Sequence, residues 1–374
     1  MPSSHRRRAV SVLAVAVAVA GGCGGRYGGA PPDHPRRAST SRGIEAAELP
    51  YQVVDARTGK SVDEPAFWAR LTAARAVCIG EEHNNPHHHW MQLHIVRELF
   101  RRLPHGTRLA LAMEMFQRPF QGVLDDYAAH RIDAAQLRSR SGYADRWGYD
   151  YEFYGPTIDA AVAAGAQLLA ANAARELTKK VSHHGLESLT PEDKAAMPQL
   201  VLDDRAHRAW FDALMEDMGG SAAHGQARAK EPKDAQGSHD GDADKAPAAA
   251  PAHADADADD AAMPSADRIY TVQVVWDETM ADIAARWLAA HPGGHVILLA
   301  GNGHCHDSAI VNRMKRRGIA DALSVRGVID DGEGAVGEAL ARPINDFLVV
   351  LQMPPDVQRA EPSDDGDAKD AKAR

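Results

Sequence analysis

Two short stretches, far apart in the chain, share one form: an apolar run followed by Gly-x-x-His. The first contains Gly80 and His83, and the second contains Gly301 and His304. A buried strand that ends in glycine and a polar cluster is typical of an open α/β sheet, where ligands lie outside the carboxyl ends of the strands. Glycine gives the backbone freedom for a sharp exit from the strand. The paired motif therefore predicts one cleft that receives both histidines.

Two further apolar runs end in a similar way. The run from Leu109 leads into Glu114, and the run from Gln167 leads into Asn172. If the four runs are neighbouring parallel strands, Glu114 and Asn172 join the motif histidines in one cleft. Strand patterns alternate with helical patterns along the chain, which predicts an α/β fold. We expect a mainly parallel sheet flanked by helices on both faces, with a helical subregion and a disordered acidic insert.

The termini are expected to lie outside the fold. Residues 1–22 carry an arginine run and then a short Ala/Val stretch, which is typical of a secretory signal peptide. Cys23 follows two glycines, which predicts a lipidated first residue of the mature protein; ordinary cleavage and secretion is the alternative. Residues 23–50 then form a flexible tether. The folded domain spans residues 51–353, and residues 354–374 form a disordered acidic tail.

Charge and composition indicate which partners and which segments to expect. Hydrophobic residues make up 44% of the chain, enough for a sizeable core, and the net charge of −10 argues against a nucleic-acid partner. Residues 219–267 hold ten acidic and four basic residues and little apolar content. Such a stretch cannot bury enough surface to fold, so it is predicted to be a disordered insert at a loop tip.

The motif residues have the chemistry of a metal site. Two histidines and one or two glutamates on rigid strand ends suit a divalent transition metal with open positions, so His83, Glu114 and His304 are the candidate ligands. Glu114 stands in an apolar setting, where a carboxylate is costly unless it is paired or ligating. In an enzyme, Glu82 or Glu114 would act as the base on metal-bound water. The alternative is that His83 caps the next helix and His304 is an ordinary loop residue.

Other side chains near the strand ends allow two interpretations each. His87 stands at a helix start, where it can join the cleft. Asn172 and Arg175 form a polar pair in which Arg175 could anchor an anion, although Asn172 could instead cap a helix. His306 could point to the same side as the second motif histidine. The aromatic residues between 143 and 154 could stack on a flat macrocycle, with a tyrosinate as iron ligand, or belong to the core.

Two cysteines, Cys78 and Cys305, lie beside the two motifs. They could approach each other at the strand ends. The favoured interpretation is that they are two small buried residues, since free cysteine is among the most buried residue types. The chain is in either case not a disulfide scaffold.

Taken as an ordered set, these segments resemble the ChaN family of bacterial lipoproteins. That family belongs to the Tiki/TraB/erythromycin-esterase-like superfamily, whose hallmark is a pair of Gly-x-x-His motifs. The similarity covers the domain without its insert. It rests on five segments: 80–88, 112–116, the aromatic segment 143–156, 276–281 and 301–304.

The resemblance implies an iron-regulated lipoprotein of the bacterial cell envelope that binds haem for haem uptake. Its implied partners are haem held between the subunits of a homodimer, the membrane through the lipid anchor, and an uptake receptor or transporter. The resemblance does not single out a haem-ligating tyrosine: Tyr143, Tyr149, Tyr151 and Tyr154 are all open, and Tyr154 is counted among the cofactor-binding residues. Tiki-like relatives imply the alternative of a metal-dependent hydrolase or protease, and a scaffold with an unused cleft is a third hypothesis. The expected cofactor-binding residues are His83, His87, Tyr154, Asn172, Arg175 and His304.

Overall fold

The computed structural model describes residues 49–227, 264–330, 332 and 334–352. They form one eight-stranded sheet with the strand order β2-β1-β8-β7-β3-β6-β4-β5. The predicted signal peptide, Cys23, most of the tether, residues 228–263 of the insert and the tail lie outside the described residues. The strands are β1 (Tyr51–Asp55), β2 (Lys60–Val62), β3 (Ala76–Glu81), β4 (Leu109–Gln117), β5 (Gln167–Asn172), β6 (His295–Gly301), β7 (Leu323–Asp330) and β8 (Phe347–Gln352).

Six neighbouring strands, from β8 to β5, run parallel, and β1 and β2 add an antiparallel edge beside β8. The four apolar runs expected to be neighbours do lie side by side, with β6 between β3 and β4. Every residue of β3 and β6 is buried, because a parallel sheet is covered on both faces and its strands are apolar throughout. The predicted α/β class is confirmed.

Helices cover both faces of this sheet. Twelve α-helices occur among the described residues: α1 (Glu64–Ala73), α2 (Pro86–Arg102), α3 (Gln121–Ala128), α4 (Ala134–Arg140), α5 (Tyr143–Arg146), α6 (Gly155–Ala163), α7 (Arg175–His184), α8 (Pro191–Ala195), α9 (Arg205–Ala227), α10 (Ala266–Ala290), α11 (Asn312–Arg316) and α12 (Ala335–Ala341).

The alternation of side chains along β6 shows how the two layers form. Ile297 and Leu299 belong to the core beneath α2, together with Leu93. Val296 and Leu298 belong to the core beneath α10 on the opposite face. Successive strand residues point to opposite faces, so one apolar strand supplies two cores.

The start of α2 is fixed by its own sequence. Pro86 occupies the first turn, where a missing N–H costs nothing, and the Asn85 side chain accepts a hydrogen bond from the His87 backbone N–H at 3.0 Å. The motif loop between β3 and α2 is therefore short and held at both ends, which places His83 just beyond the strand.

Two element boundaries differ from the expectation. β4 continues to Gln117, so Glu114 lies within the strand, at a shift in the pairing of β4 with β5. Helix α9 continues to Ala227, into the segment predicted to be disordered. Alanine-rich sequence after Gly220 favours helix, which explains the extension. None of the helices among the described residues has the length and apolar character needed to cross a bilayer.

Cys78 and Cys305 form a disulfide, with 5.4 Å between their Cα atoms. The interpretation of two unbonded buried residues was wrong. Cys78 lies on β3 directly opposite Leu298 of β6, and the turn after Gly301 carries the chain back over the same face. Strand adjacency therefore brings together two cysteines that are 227 positions apart in sequence.

Candidate functional site

Both motif histidines open onto one cavity of about 330 Å³ at the carboxyl ends of β3 and β6. This is the position at which an open parallel sheet presents ligands. The lining residues come from the two motifs, the first turn of α2, the loop after α5 and the end of β7. They are Glu81, Glu82, His83, Asn84, Asn85, Pro86, His87, Tyr149, Gly301, Asn302, Gly303, His304 and Ile329.

His83 is held by the buried carboxylate of Glu81. One oxygen of Glu81 lies 2.8 Å from His83 Nδ1 and accepts a hydrogen bond from the Tyr154 hydroxyl at 2.9 Å. The other oxygen lies 3.0 Å from His89 Nδ1. Burial alone would raise the pKa of Glu81, but the two histidines outweigh it and lower that pKa well below its usual range. Glu81 is therefore a carboxylate that orients the motif histidine.

His304 is held in the same way by Asp277 of α10. The distance from Asp277 Oδ1 to His304 Nδ1 is 2.6 Å, and both side chains are buried. The other ring nitrogen, Nε2, lies 3.4 Å from Glu114 Oε1. A carboxylate at Nδ1 fixes the orientation of an imidazole. Each motif histidine thus has its own buried acidic partner.

The motif glycines pack against the opposite motif. A Cβ atom on Gly80 would lie 2.4 Å from Asn302 Oδ1, and a Cβ on Gly301 would lie 3.0 Å from His83 Cε1. Neither glycine has a positive φ. The expectation that glycine serves a sharp turn was therefore wrong; it is needed because the two loops approach each other so closely.

Glu114 holds the two motifs together from β4. Its Oε2 accepts a hydrogen bond from the Gly301 backbone N–H at 2.7 Å, while its Oε1 faces His304. The side chain is only 6% exposed, so these two partners offset the cost of burying it.

The pKa values of the two motif histidines shift in the opposite direction to the pKa of His87. Burial would lower the pKa of His83 and of His304, but Glu81 raises the first, and Glu114 with Asp277 raises the second, so both are raised above the usual value. Burial lowers the pKa of His87, and no carboxylate in the part of the chain that the structure describes counteracts this shift. His87 is therefore a neutral imidazole at neutral pH, available as a ligand.

Besides Glu114, several predicted residues do not line the cavity in the described structure. Tyr154 is 1% exposed, with its hydroxyl on Glu81. The Asn172 side chain accepts from the Ala173 N–H at 2.8 Å, and Arg175 donates to the Asp145 carbonyl at 2.7 Å. His306 is buried against Trp210, with 4.2 Å between ring centroids.

Sequence reasoning assigned no role to Asp277 or Gln273, and it left Tyr149 as one of several candidate tyrosines. Gln273 and Asp277 are one turn apart on α10, and both are buried in a helix whose buried residues are mainly apolar. Two polar residues at i and i+4 on a core-facing stripe were the available signal. Tyr149 lies 4.6 Å, ring to ring, from His83 and was one of several aromatic residues in its segment.

A metal centre at His83, Glu114 and His304 stays a prediction from the sequence. Across residues 49–227, 264–330 and 334–352, no three His, Cys, Asp or Glu side chains are arranged to hold one ion. Both oxygens of Glu114 already face partners, the Gly301 N–H and His304.

The fold and the cavity together define an α/β protein whose candidate site is built from two Gly-x-x-His motifs at adjacent strand ends. The family model described as "Haem-binding uptake, Tiki superfamily, ChaN" matches residues 67–314. The chain belongs to this family.

Three solved structures are similar to this chain. The structure described as "Cofacial heme binding to ChaN of Campylobacter jejuni" has 15% identity and a TM-score of 0.55, with 81% of this chain and 97% of that chain covered. A type III effector, HopBA1, has 11% identity and a TM-score of 0.35, covering 77% and 93%. A mutant of the erythromycin esterase EreC, in its open conformation, has 12% identity and a TM-score of 0.36, covering 82% and 83%. The first shares the fold. Comparison with curated proteins gives no match.

Proposed function

We propose that this protein binds haem at the motif cavity and serves haem uptake at the bacterial cell envelope. The observation that carries the proposal is membership of the haem-binding uptake family over residues 67–314. The cavity adds a place for the ligand, because it is the point where the two defining motifs meet.

The donors around the cavity fit an iron macrocycle. His87 and Tyr149 both line the cavity and are both partly exposed, so they can be reached from outside. His87 offers a neutral imidazole. Tyr149 offers a phenol whose pKa burial raises, so bound iron would have to displace its proton. Nitrogen and phenolic oxygen are ordinary haem ligands. Pro86 and Ile329 supply apolar contact for a flat ring.

The inner histidines have a different place. His304 is only 4% exposed, so its ring lies below the surface that a macrocycle could cover. We therefore assign His87 and Tyr149 as the iron ligands. His83 and His304 would contact those parts of the haem that enter the cavity more deeply. Bound haem would supply the iron that is carried; the chain itself supplies the donors and the apolar contacts.

The remaining parts of the proposal concern location and assembly. A disulfide between Cys78 and Cys305 supports an oxidising compartment outside the cytoplasm. Lipidation of Cys23 would then anchor the domain to the membrane through the tether. We also propose a homodimer that encloses the outer face of the haem, and an uptake receptor or transporter as the next partner.

Haemin titration of the purified full-length chain tests ligand binding. We expect a shifted Soret band that saturates at a fixed stoichiometry, with weaker binding in His87→Ala or Tyr149→Phe. His105→Ala is the matched control, because His105 is exposed on the loop before β4. Absence of a shift would refute haem binding, and unchanged binding in both variants would refute the assigned ligands. Sedimentation with and without haemin tests the dimer.

The anchor is tested separately in cells. The wild-type chain and Cys23→Ala are compared by labelling with a fatty-acid analogue and by membrane fractionation. We expect the label and the membrane location only in the wild type. Equal membrane association of the two, without any label, would contradict lipidation.

A further inference from the structure

A chain of close polar contacts lies behind His304. Asp277 is completely buried, with Oδ1 2.6 Å from His304 Nδ1 and Oδ2 3.1 Å from His207 Nε2. The other nitrogen of His207, Nδ1, lies 3.0 Å from Arg313 Nη2. The four side chains come from four elements: α9, α10, α11 and the loop after β6.

The chemistry of arginine sets the direction of this chain. A guanidinium can only donate hydrogen bonds, so His207 Nδ1 must accept. The ring proton of His207 is then on Nε2, which faces Asp277 Oδ2 at 3.1 Å. The second oxygen of Asp277 is left to accept from His304 Nδ1. His304 consequently carries its proton on Nδ1.

A second contact agrees with this assignment. Gln273 Nε2 lies 3.0 Å from His304 Nδ1 and also 3.0 Å from the Gly303 carbonyl. An amide N–H cannot donate to a ring nitrogen that is itself protonated. The Gly303 carbonyl is therefore the acceptor of Gln273, which leaves Nδ1 to Asp277.

We infer that Asp277 is the positioning residue of the motif site: it keeps a proton on His304 Nδ1 and fixes the ring so that Nε2 faces Glu114 and the cavity. Arg313 and His207 hold Asp277 in turn. The effect of this arrangement on ligand affinity rests on the proposed haem binding.

An Asn at position 277 has a predictable consequence. Its carbonyl oxygen must stay with the Nε2–H of His207, because the alternative places two donors against each other. The amide NH₂ then faces His304 Nδ1, which has to accept. His304 Nδ1 therefore gives up its proton, and the ring keeps one proton, on Nε2, which faces Glu114 and the cavity. A carboxylate-to-amide change that alters the histidine tautomer in this way is known to be far more damaging than its small change in shape suggests.

The chain offers a matched control at the adjacent position. Glu278 is as completely buried as Asp277 and also pairs with Arg313, at 3.3 Å. Its strongest contacts are with Arg316 and Arg317, both at 2.6 Å. Among the described residues, none of its recorded contacts is with a motif histidine. Glu278→Gln thus removes an equally buried charge without touching His304.

The test compares Asp277→Asn with Glu278→Gln by nitrogen-15 NMR of the histidine rings in the ligand-free full chain. We expect Nδ1 of His304 to be protonated in the wild type and in Glu278→Gln, and to be unprotonated in Asp277→Asn. Haemin affinity should fall in Asp277→Asn and stay at the wild-type value in Glu278→Gln, because only the first variant alters the ring at the cavity. A proton retained on Nδ1 in Asp277→Asn, or lost from Nδ1 in Glu278→Gln, would overturn the inference.

Two outcomes need a separate readout. If Asp277→Asn does not fold, His207→Gln is used instead. This variant keeps the Asp277 carboxylate but removes the His207 ring that supports it, so the His304 signals should broaden or split. Sharp, wild-type His304 signals would count against the proposed series of contacts. If the wild type does not bind haemin, the proposed function fails while the NMR comparison still decides the role of Asp277.

Discussion

Replacement of either motif glycine by alanine should destabilise the fold and disturb the opposite motif. In Gly80→Ala the new methyl group would lie 2.4 Å from Asn302 Oδ1, and in Gly301→Ala it would lie 3.0 Å from His83 Cε1. Added methyl groups in a packed interior cost about 1–3 kcal/mol. Alanine also restricts the unfolded chain more than glycine does, which stabilises the folded state by about 0.4–1 kcal/mol. The net expected loss in the free energy of unfolding is therefore on the order of 1–2 kcal/mol for each.

Urea unfolding of the two variants and of Gly122→Ala is the assay. Gly122 lies inside α3, and nothing stands within 4 Å of the position its Cβ would take. The control should gain about 0.5–1 kcal/mol, the usual advantage of alanine in a helix. If Gly80→Ala and Gly301→Ala are as stable as this control, the close approach of the two loops is not what requires glycine.

Two further predictions concern stability. The double variant Cys78→Ser/Cys305→Ser should lose about 2–5 kcal/mol, because the disulfide closes a very long loop; equal urea midpoints for oxidised wild type and variant would contradict this. Acid should also destabilise the protein, since burial lowers the pKa of His88 and His306 to about 3 and that of His295 to about 4. Below about pH 6.5 the unfolded chain binds protons that the folded chain does not, so stability should fall by up to about 4 kcal/mol per pH unit as the pH drops towards 4.5. Urea midpoints measured from pH 7 to pH 4.5 check this, and a constant midpoint would refute it.

The sheet could be predicted because its strands carry their own signal. A strand covered on both faces is apolar throughout, so β3 and β6 are recognisable as unbroken runs with a polar cluster at one end. The carboxyl ends of parallel strands lie at one edge of the sheet. Two repeated motifs at such ends were therefore enough to place His83 and His304 in one cavity.

The partners of those histidines could not be predicted in the same way. Asp277 reaches His304 from a helix on one face of the sheet, and nothing in its own segment specifies that contact. The disulfide was missed for a related reason, because Cys78 and Cys305 face each other only if β6 lies directly beside β3. Strand order is a property of the whole sheet, and a local pattern of residues does not contain it.

The acidic segment lies between α9 and α10, and contacts of the candidate site join these two helices. The chain leaves the described structure at the end of α9 and returns before α10, and these two helices carry His207 and Asp277. Arg208 of α9 also bonds Asp267 of α10 at 2.7 Å. Contacts between the two helices therefore do not depend on the length of chain that joins them, since long surface insertions add little entropy cost. The contacts that position His304 are therefore among those that hold α9 and α10 together where the acidic segment joins them.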